Sequence, residues 1–385
     1  MRVLFLNDTS LISGAERCLL DLLGALDETV QPLVACPRGP LSRAVARLGV
    51  EVIPTRGMTG SLRLHPVHTP RALAQLGVAA AALRRLAARR RIDVIHANTL
   101  RAGLVAAATR RLGGPPLAAF IHDALPVSRA ALLTGRAIGS QASVLFANSA
   151  YSADRFGLSE EDRRRRVVFN PIDLAAFDQD LHDRAAARVR LDLRPDDLVL
   201  AVVGQITPWK GQRDAIEILD ALRRGHPAAR LLVVGDAKFV ARATRYDNRA
   251  YLAELRELTF DRGLEPHVRW LGDRADVPAI MSAVDILLVP SWEEPFGRVV
   301  VEGMAMGCLV AATAIGGPAE VISDGVDGLL LAPRAPERWA EAIDSMVRDP
   351  EVMRAIRRAA ATHVGRFDPA RFAAALVAGY RAAAA

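Results

Sequence analysis

Short apolar runs recur along the whole chain with longer amphipathic stretches between them, and this alternation restricts the fold more than any other feature. Arg2–Asn7 (RVLFLN), Gln31–Cys36 (QPLVAC), Ile92–His96 (IDVIH), Leu117–His122 (LAAFIH) and Ser143–Asn148 (SVLFAN) read as buried strands. Gly14–Leu26, Pro70–Arg91 and Arg101–Arg111 read as helices among them. A second series starts at Asp197–Gly204 (DLVLAVVG) and runs through Arg230–Gly235, Val268–Gly272, Val284–Ser291 and Leu309–Thr313. Between its first two strands, Ala215, Ile218, Leu219 and Leu222 share one face of a helix expected over Gly211–Arg224, the stripe of a helix lying on a sheet. Strands apolar along their full length leave no face for water, so each sheet is expected to be parallel and covered on both sides. Two series predict two doubly wound α/β domains.

At 385 residues the chain suits two domains of about 150–200 residues each. The boundary is expected within 170–195, where Asn170-Pro171-Ile172-Asp173 ends the first series and a polar Asp- and Arg-rich segment follows. This gives 1–175 as the first domain, 176–368 as the second, and 369–385 as a C-terminal helix packing back on the first. Ligands of open α/β sheets bind beyond the carboxyl ends of the strands, so the expected site is the cleft between the domains. A hydrophobic fraction of 51% supports packed cores and excludes global disorder. No run approaches the ~20 apolar residues of a spanning helix, and the start MRVLFLNDTS lacks the layout of a signal peptide. Cys18, Cys36 and Cys308, odd in number and in no C-x-x-C spacing, argue against a disulfide framework and a zinc site. The expectation is a soluble protein of a reducing cytoplasm.

Charge is divided unevenly. Residues 1–170 hold 23 arginines, no lysine and 12 acidic residues, a net +11, whereas the remainder is −4. A basic half suggests an anionic partner, such as a phosphorylated substrate or a membrane surface. Aromatic residues make up only 5% of the chain, too few for stacking on bases, which argues against nucleic acid. The plainer alternative is that these arginines only solvate helix faces.

The richest chemistry lies in Pro290–Gly307, PSWEEPFGRVVVEGMAMG. A strand ends at Pro290-Ser291, a turn follows, and a helix is expected to start near Gly297. Glu294 and Glu302, seven residues between them, then sit at the loop mouth and inside the helix. The amides of Phe296, Gly297, Arg298 and Val299 form a helix N-terminus, a ready anion site. Backbone amides for an anion beside carboxylates for hydroxyl donors suit a molecule carrying both phosphate and sugar. Lys210 precedes Gly211 at another expected helix start, where its ammonium can meet a diphosphate. The chain has only two lysines, Lys210 and Lys238, against 48 arginines, so a lysine here answers a need for a compact point charge. Gly14 lets backbone approach a phosphate or acceptor after the first strand. His122, just past a strand end, is placed to hydrogen-bond a sugar hydroxyl, with His96 in a similar position but without a defined role. The loops at Gly235-Asp236 and Gly272-Asp273 are expected to hold the nucleobase and ribose.

These segments resemble one family. DILLVPSWEEPFGRVVVE with the run GMAMGCLVAATAIGGPAEVISDGVDGLLLAP is similar to the family 4 glycosyltransferases of GT-B fold. VVGQITPWKGQ (202–212), LLVVGD (231–236), AFIHD (119–123), FANSAYSADRF (146–156), VFNPID (168–173) and ISGAERCLLDL (12–22) extend the resemblance through most of the chain. It implies a retaining transfer of a sugar from a nucleotide-diphosphate donor, without a metal or other cofactor, to a glycan, lipid-linked or other cell-envelope acceptor. Glu294, Lys210 and His122 would then carry the catalysis. Gly14, Gln205, Lys210, Phe296, Gly297, Arg298, Val299 and Glu302 would hold the donor. The family commonly places an arginine five positions before the lysine; here that position is Gln205, which can donate a hydrogen bond but brings no charge. The resemblance makes the basic first half the acceptor side, and so extends the expected location to the inner face of the cell membrane. Competing functions are another GT-B activity such as a nucleotide-sugar epimerase, and a non-catalytic protein binding an anionic surface. A nicotinamide oxidoreductase lacks its glycine fingerprint here.

Overall fold

The computed structural model describes residues 1–57, 68–125, 128–238 and 246–385, the first five residues of the second stretch by backbone alone. It divides into two compact units: 1–172 with 367–385, and 173–366.

The first unit is built on a parallel seven-stranded sheet. Its strands are β1 (Arg2–Leu6), β2 (Gln31–Cys36), β3 (Glu51–Pro54), β4 (Val94–Ala97), β5 (Leu117–Ile121), β6 (Ala142–Ala147) and β7 (Arg165–Val167), in the order β3-β2-β1-β4-β5-β6-β7. Alternate residues of each strand feed opposite faces. Leu4, Leu6, Ile95, Leu117 and Leu145 pack with Leu83, Val105 and Ile138 from helices His68–Arg90, Leu100–Arg111 and Arg129–Gly139. Val3, Phe5, Val34, Phe120 and Phe146 meet Leu19 and Leu22 of helix Gly14–Ala25 on the other face. That second face is completed by Phe372, Leu376 and Tyr380 of helix Pro369–Ala384. The chain leaves this unit after Ile172 and re-enters at Phe367. The Ile172 amide donates to the Phe367 carbonyl at 3.1 Å, so exit and entry lie side by side.

The second unit repeats the plan with six strands: β8 (Leu198–Val203), β9 (Ala229–Val234), β10 (Val268–Gly272), β11 (Ile286–Val289), β12 (Leu309–Thr313) and β13 (Leu329–Leu331). Their order, β10-β9-β8-β11-β12-β13, reverses between the first and fourth strands as in the first unit. Each reversal opens a crevice at the carboxyl ends of the strands, where ligands of such sheets bind. Ile218, Leu219 and Leu222 of helix Gln212–Leu222 pack on Leu200, Val202, Leu231 and Val233, with Trp339 and Ile343 alongside.

Strands β3, β7 and β13 have no counterpart in the sequence reading, and all three are sheet edges. An edge strand pairs on one side only, so four residues or fewer suffice and no long apolar run is needed. Strand β7 begins in the arginine run 163–166, which is engaged locally. Arg164 pairs with Asp162 at 2.8 Å and donates to the Ala142 carbonyl, and Arg165 pairs with Asp154 at 2.7 Å. Among the described residues no helix is long and apolar enough to cross a membrane.

Candidate active site

In the second unit, the loops after β8 and β11 flank the strand-order reversal and are stitched together. The Trp292 amide donates to the Trp209 carbonyl at 2.8 Å. Gly211, at φ +72°, lies so close to Pro290 that a Cβ on it would stand 2.1 Å from the Pro290 oxygen, so only glycine fits. Across this seam the Lys210 Nζ stands 2.5 Å from Glu294 Oε2, and the Ser291 hydroxyl donates to the same oxygen at 3.0 Å. Glu294 is only 5% exposed. A carboxylate that dry needs a charged partner, and Lys210 supplies it.

Two further contacts hold the loop carrying Glu294. Trp292 Nε1 donates to Asp214 Oδ2 at 2.8 Å, and the Arg334 guanidinium stacks 3.9 Å above the Trp292 ring. Burial raises the Asp214 carboxyl above its ordinary range, against the lowering effect of the Trp292 hydrogen bond. Downstream, Gly317 donates its amide to the Glu294 carbonyl at 2.8 Å and so closes the turn from behind. Phe296 is buried in that turn, and Gly297 caps helix Arg298–Ala305. The opening amides of this helix, those of Arg298 and Val299 among them, have no acceptor within the helix and form its positive end. Glu302 lies one turn further in, its Oε1 3.6 Å from Arg298 Nε. The structure thus brings Lys210, Glu294, Phe296, Gly297, Arg298, Val299 and Glu302 together at one end of the second sheet.

Gln205 follows the same strand as Lys210 but turns toward β9. Its Nε2 donates to the Lys238 carbonyl at 3.2 Å, and its own carbonyl accepts from Gln212 at 2.8 Å. Lys238 pairs with Asp273 at 2.9 Å. The amide of Ile206 reaches the Asp236 carbonyl at 3.0 Å, and that of Gly235 the Gly272 carbonyl at 2.8 Å. Both lysines of the chain therefore lie in loops joined at the carboxyl ends of β8, β9 and β10.

Gly14 and His122 belong to the first unit. Gly14 opens helix Gly14–Ala25, and a Cβ there would meet nothing within 4 Å, so packing does not demand glycine. His122 follows β5 directly, with Nε2 3.3 Å from Asn98 Oδ1 and its ring 4.1 Å from that of Phe120. His96 is core: fully buried among Phe5, Phe120 and Tyr380, its Nδ1 bonded to the Tyr380 hydroxyl at 2.8 Å. Burial pulls its pKa down to about 3, which keeps it neutral. Among the described residues no three His, Cys, Asp or Glu side chains form a group that could hold a metal ion.

Sequence reasoning passed over Ser291, Trp292 and Asp214, which anchor the Glu294 loop. One signal was available. The chain has four tryptophans, and two of them, Trp209 and Trp292, stand beside the two charged motifs.

Residues 12–176 match the model of Glycosyltransferase Family 4, and residues 183–363 that of Glycosyl transferases group 1. The D-inositol 3-phosphate glycosyltransferase of Mycobacterium avium is 31% identical over 314 residues, which is 76% of this chain and 70% of that protein. The enzyme of the same name from Segniliparus rotundus is 36% identical over 219 residues, 56% of this chain and 46% of that protein. The chain spans about half to two thirds of the length of the first curated relatives it matches. Among solved structures, Anabaena HepE in complex with UDP-glucose superposes with a TM-score of 0.84 at 28% identity, covering 98% of each chain. Its two parallel-sheet units are those of the GT-B fold. The chain belongs to the family 4, group 1 glycosyltransferases.

Proposed function

We propose that this protein transfers a sugar from a nucleotide-diphosphate donor to a hydroxyl of a glycan, lipid-linked or phosphorylated polyol acceptor, with retention at the anomeric carbon. The observation that carries the reading is the Lys210–Glu294 pair beside the positive end of helix Arg298–Ala305. An ammonium and the positive end of a helix suit the diphosphate, whose oxygens gain charge as it leaves. Preorganised groups aimed at developing charge are usually the largest catalytic term. On diphosphate binding Lys210 turns toward phosphate oxygens, and Glu294 becomes an acceptor for sugar hydroxyls. Glu302 accepts from the ribose. His122 is assigned a hydrogen bond to a sugar hydroxyl.

A carboxylate nucleophile would need a second carboxyl about 5–5.5 Å from the first across the glycosidic bond. Here Glu294 and Glu302 are assigned to hydroxyls, so the acceptor attacks on the leaving-group face and the donor phosphate helps to take its proton. The charge at the leaving group comes from Lys210 and the helix amides, and the reaction is read as independent of a metal or other cofactor. UDP-sugars are the first donors to try, supported by the UDP-glucose complex of HepE. A phosphorylated acceptor is supported by the names of the inositol-phosphate relatives and by the basic first half. The same arginines would favour transient docking at the inner face of a cell membrane. Helix His68–Arg90 ends in arginine there, although Arg90 also pairs with Glu51.

The deciding experiment incubates the protein with a panel of UDP- and GDP-sugars and acceptors, with and without chelator, and follows products by NMR. Release of nucleoside diphosphate with an α-configured product from an α-configured donor, unchanged by chelator, is expected. Epimerised donor without any acceptor would replace the reading by that of an epimerase, and an inverted product would remove retention.

A further inference from the structure

Four strands that neighbour one another in the first sheet, β1, β4, β5 and β6, are each followed immediately by a polar residue: Asn7, Asn98, His122 and Asn148. Three of these side chains form a row that runs back to Glu16 on helix Gly14–Ala25. Asn7 Nδ2 donates to Glu16 Oε1 at 3.2 Å, and Asn98 Nδ2 donates to Asn7 Oδ1 at 2.9 Å. Asn98 Oδ1 then faces His122 Nε2 at 3.3 Å. Glu16, Asn7 and Asn98 are all at most 2% exposed. From the last strand, Asn148 Nδ2 holds the His122 carbonyl at 2.9 Å.

The row has a direction. A carboxylate only accepts, so Asn7 must turn its NH₂ to Glu16 and its oxygen to Asn98. Asn98 must then turn its NH₂ to Asn7 and its oxygen to His122. Two carbonyls agree with this assignment: Thr9 accepts from Asn7 Nδ2 at 2.9 Å, and Ala15 from Asn98 Nδ2 at 3.4 Å. An oxygen facing an imidazole nitrogen requires a proton on that nitrogen.

We infer that the row Glu16–Asn7–Asn98 fixes the proton of the His122 imidazole on Nε2, which makes Glu16 and Asn98 positioning residues. The inference rests on the proposed role of His122 for its catalytic meaning, but not for its test. Glu16→Gln is the informative variant because it keeps the shape and removes the direction. Glu16 Oε2 accepts from the Ser13 amide at 2.9 Å, so a glutamine must put its oxygen there and its NH₂ toward Asn7. Asn7 is then pulled between the new NH₂ at position 16 and the Thr9 carbonyl, so the row loses its single direction and His122 Nε2 no longer meets an oxygen in every molecule.

The experiment is NMR of the full chain labelled with ¹⁵N-histidine, the His122 signals being those lost in His122→Gln. The wild type is expected to show one tautomer, protonated on Nε2. Asn98→Ala should give a mixture, Glu16→Gln should move the proton toward Nδ1, and Asn98→Asp should keep it on Nε2. A wild-type proton on Nδ1 would overturn the inference, as would unchanged His122 shifts in both Asn98→Ala and Glu16→Gln. Turnover is measured on the same samples. If the shifts move and turnover stays at the wild-type rate, the row stands and the assignment of His122 to the sugar falls.

Discussion

The two units share a strand order and a place of reversal, yet they furnish that place differently. In the first unit the strand ends carry asparagines and a histidine, backed by one buried carboxylate, Glu16, on helix Gly14–Ala25. In the second they carry an ammonium held against a carboxylate. The asparagines of that row are held by Glu16 and by the Thr9 and Ala15 carbonyls, and a network so satisfied is rigid. A lone lysine paired with a buried glutamate can exchange that partner for an incoming anion. On the proposed reading, two copies of one architecture serve different tasks, orientation in one and charge reception in the other.

The largest effect should come from undoing the first unit's packing. Tyr380 is fully buried on the C-terminal helix, and Tyr380→Ala removes its ring and its bond to His96. A loss of about 3–5 kcal/mol is expected. Hydrogen exchange resolved by segment should show it in 1–172 and leave 173–366 near wild type; equal loosening of both units would break the comparison.

Next comes the charged seam. Lys210→Met should cut turnover ~10²-fold or more, as for the loss of a transition-state donor. It should also lower the melting temperature by leaving Glu294 buried without its ammonium. Adding Glu294→Gln to Lys210→Met should recover stability but not turnover. Recovery of both would mean that the leaving group is neutralised elsewhere.

Glu302→Gln should weaken nucleotide-diphosphate binding by about 1.5–3 kcal/mol in calorimetry, the range of a hydrogen bond to a charged group. Wild-type affinity would remove Glu302 from the donor site.

The effect that separates the units by pH concerns His96. Its folded pKa of about 3 lies below the unfolded value near 6.5, so the unfolded chain binds the extra proton between them. Its contribution is complete above pH ~6.5 and is lost as pH falls toward 3, by at most about 1.4 kcal/mol per pH unit. Urea melts of the first unit's segments from pH 7 to pH 5 should show this slope, and His96→Gln should flatten it.

Much of this was legible in sequence because buried parallel strands write themselves as apolar runs. Leu198–Val203 and Leu309–Thr313 need no context to be recognised, while Arg165–Val167 cannot be seen without it, since pairing on one side imposes no pattern. Lys210, Glu294 and Glu302 could be picked out because charge beside glycine and proline at a strand end is unusual. Ser291 and Asp214 could not, because their roles come from partners 3 and 78 residues away. His96 and His122 illustrate the limit from the other side. One lies inside a strand facing aromatic rings and the other one residue past a strand end, a distinction that depends on where each strand stops.

The return of the chain at Phe367 bears on the order in which the molecule is made. The sheet of the first unit is synthesised early, but the helix that completes the cover of one of its faces follows the whole of the second unit. Until Pro369–Ala384 arrives, Phe5, Phe120 and Phe146 lack part of their cover, while everything the second unit needs has already been translated. In chain order the second unit therefore has all its residues before the first has its full set, unlike domains that follow one another without a return. A chain cut before Pro369 is expected to keep every residue of the second unit and to leave the aromatic rings of the first partly uncovered.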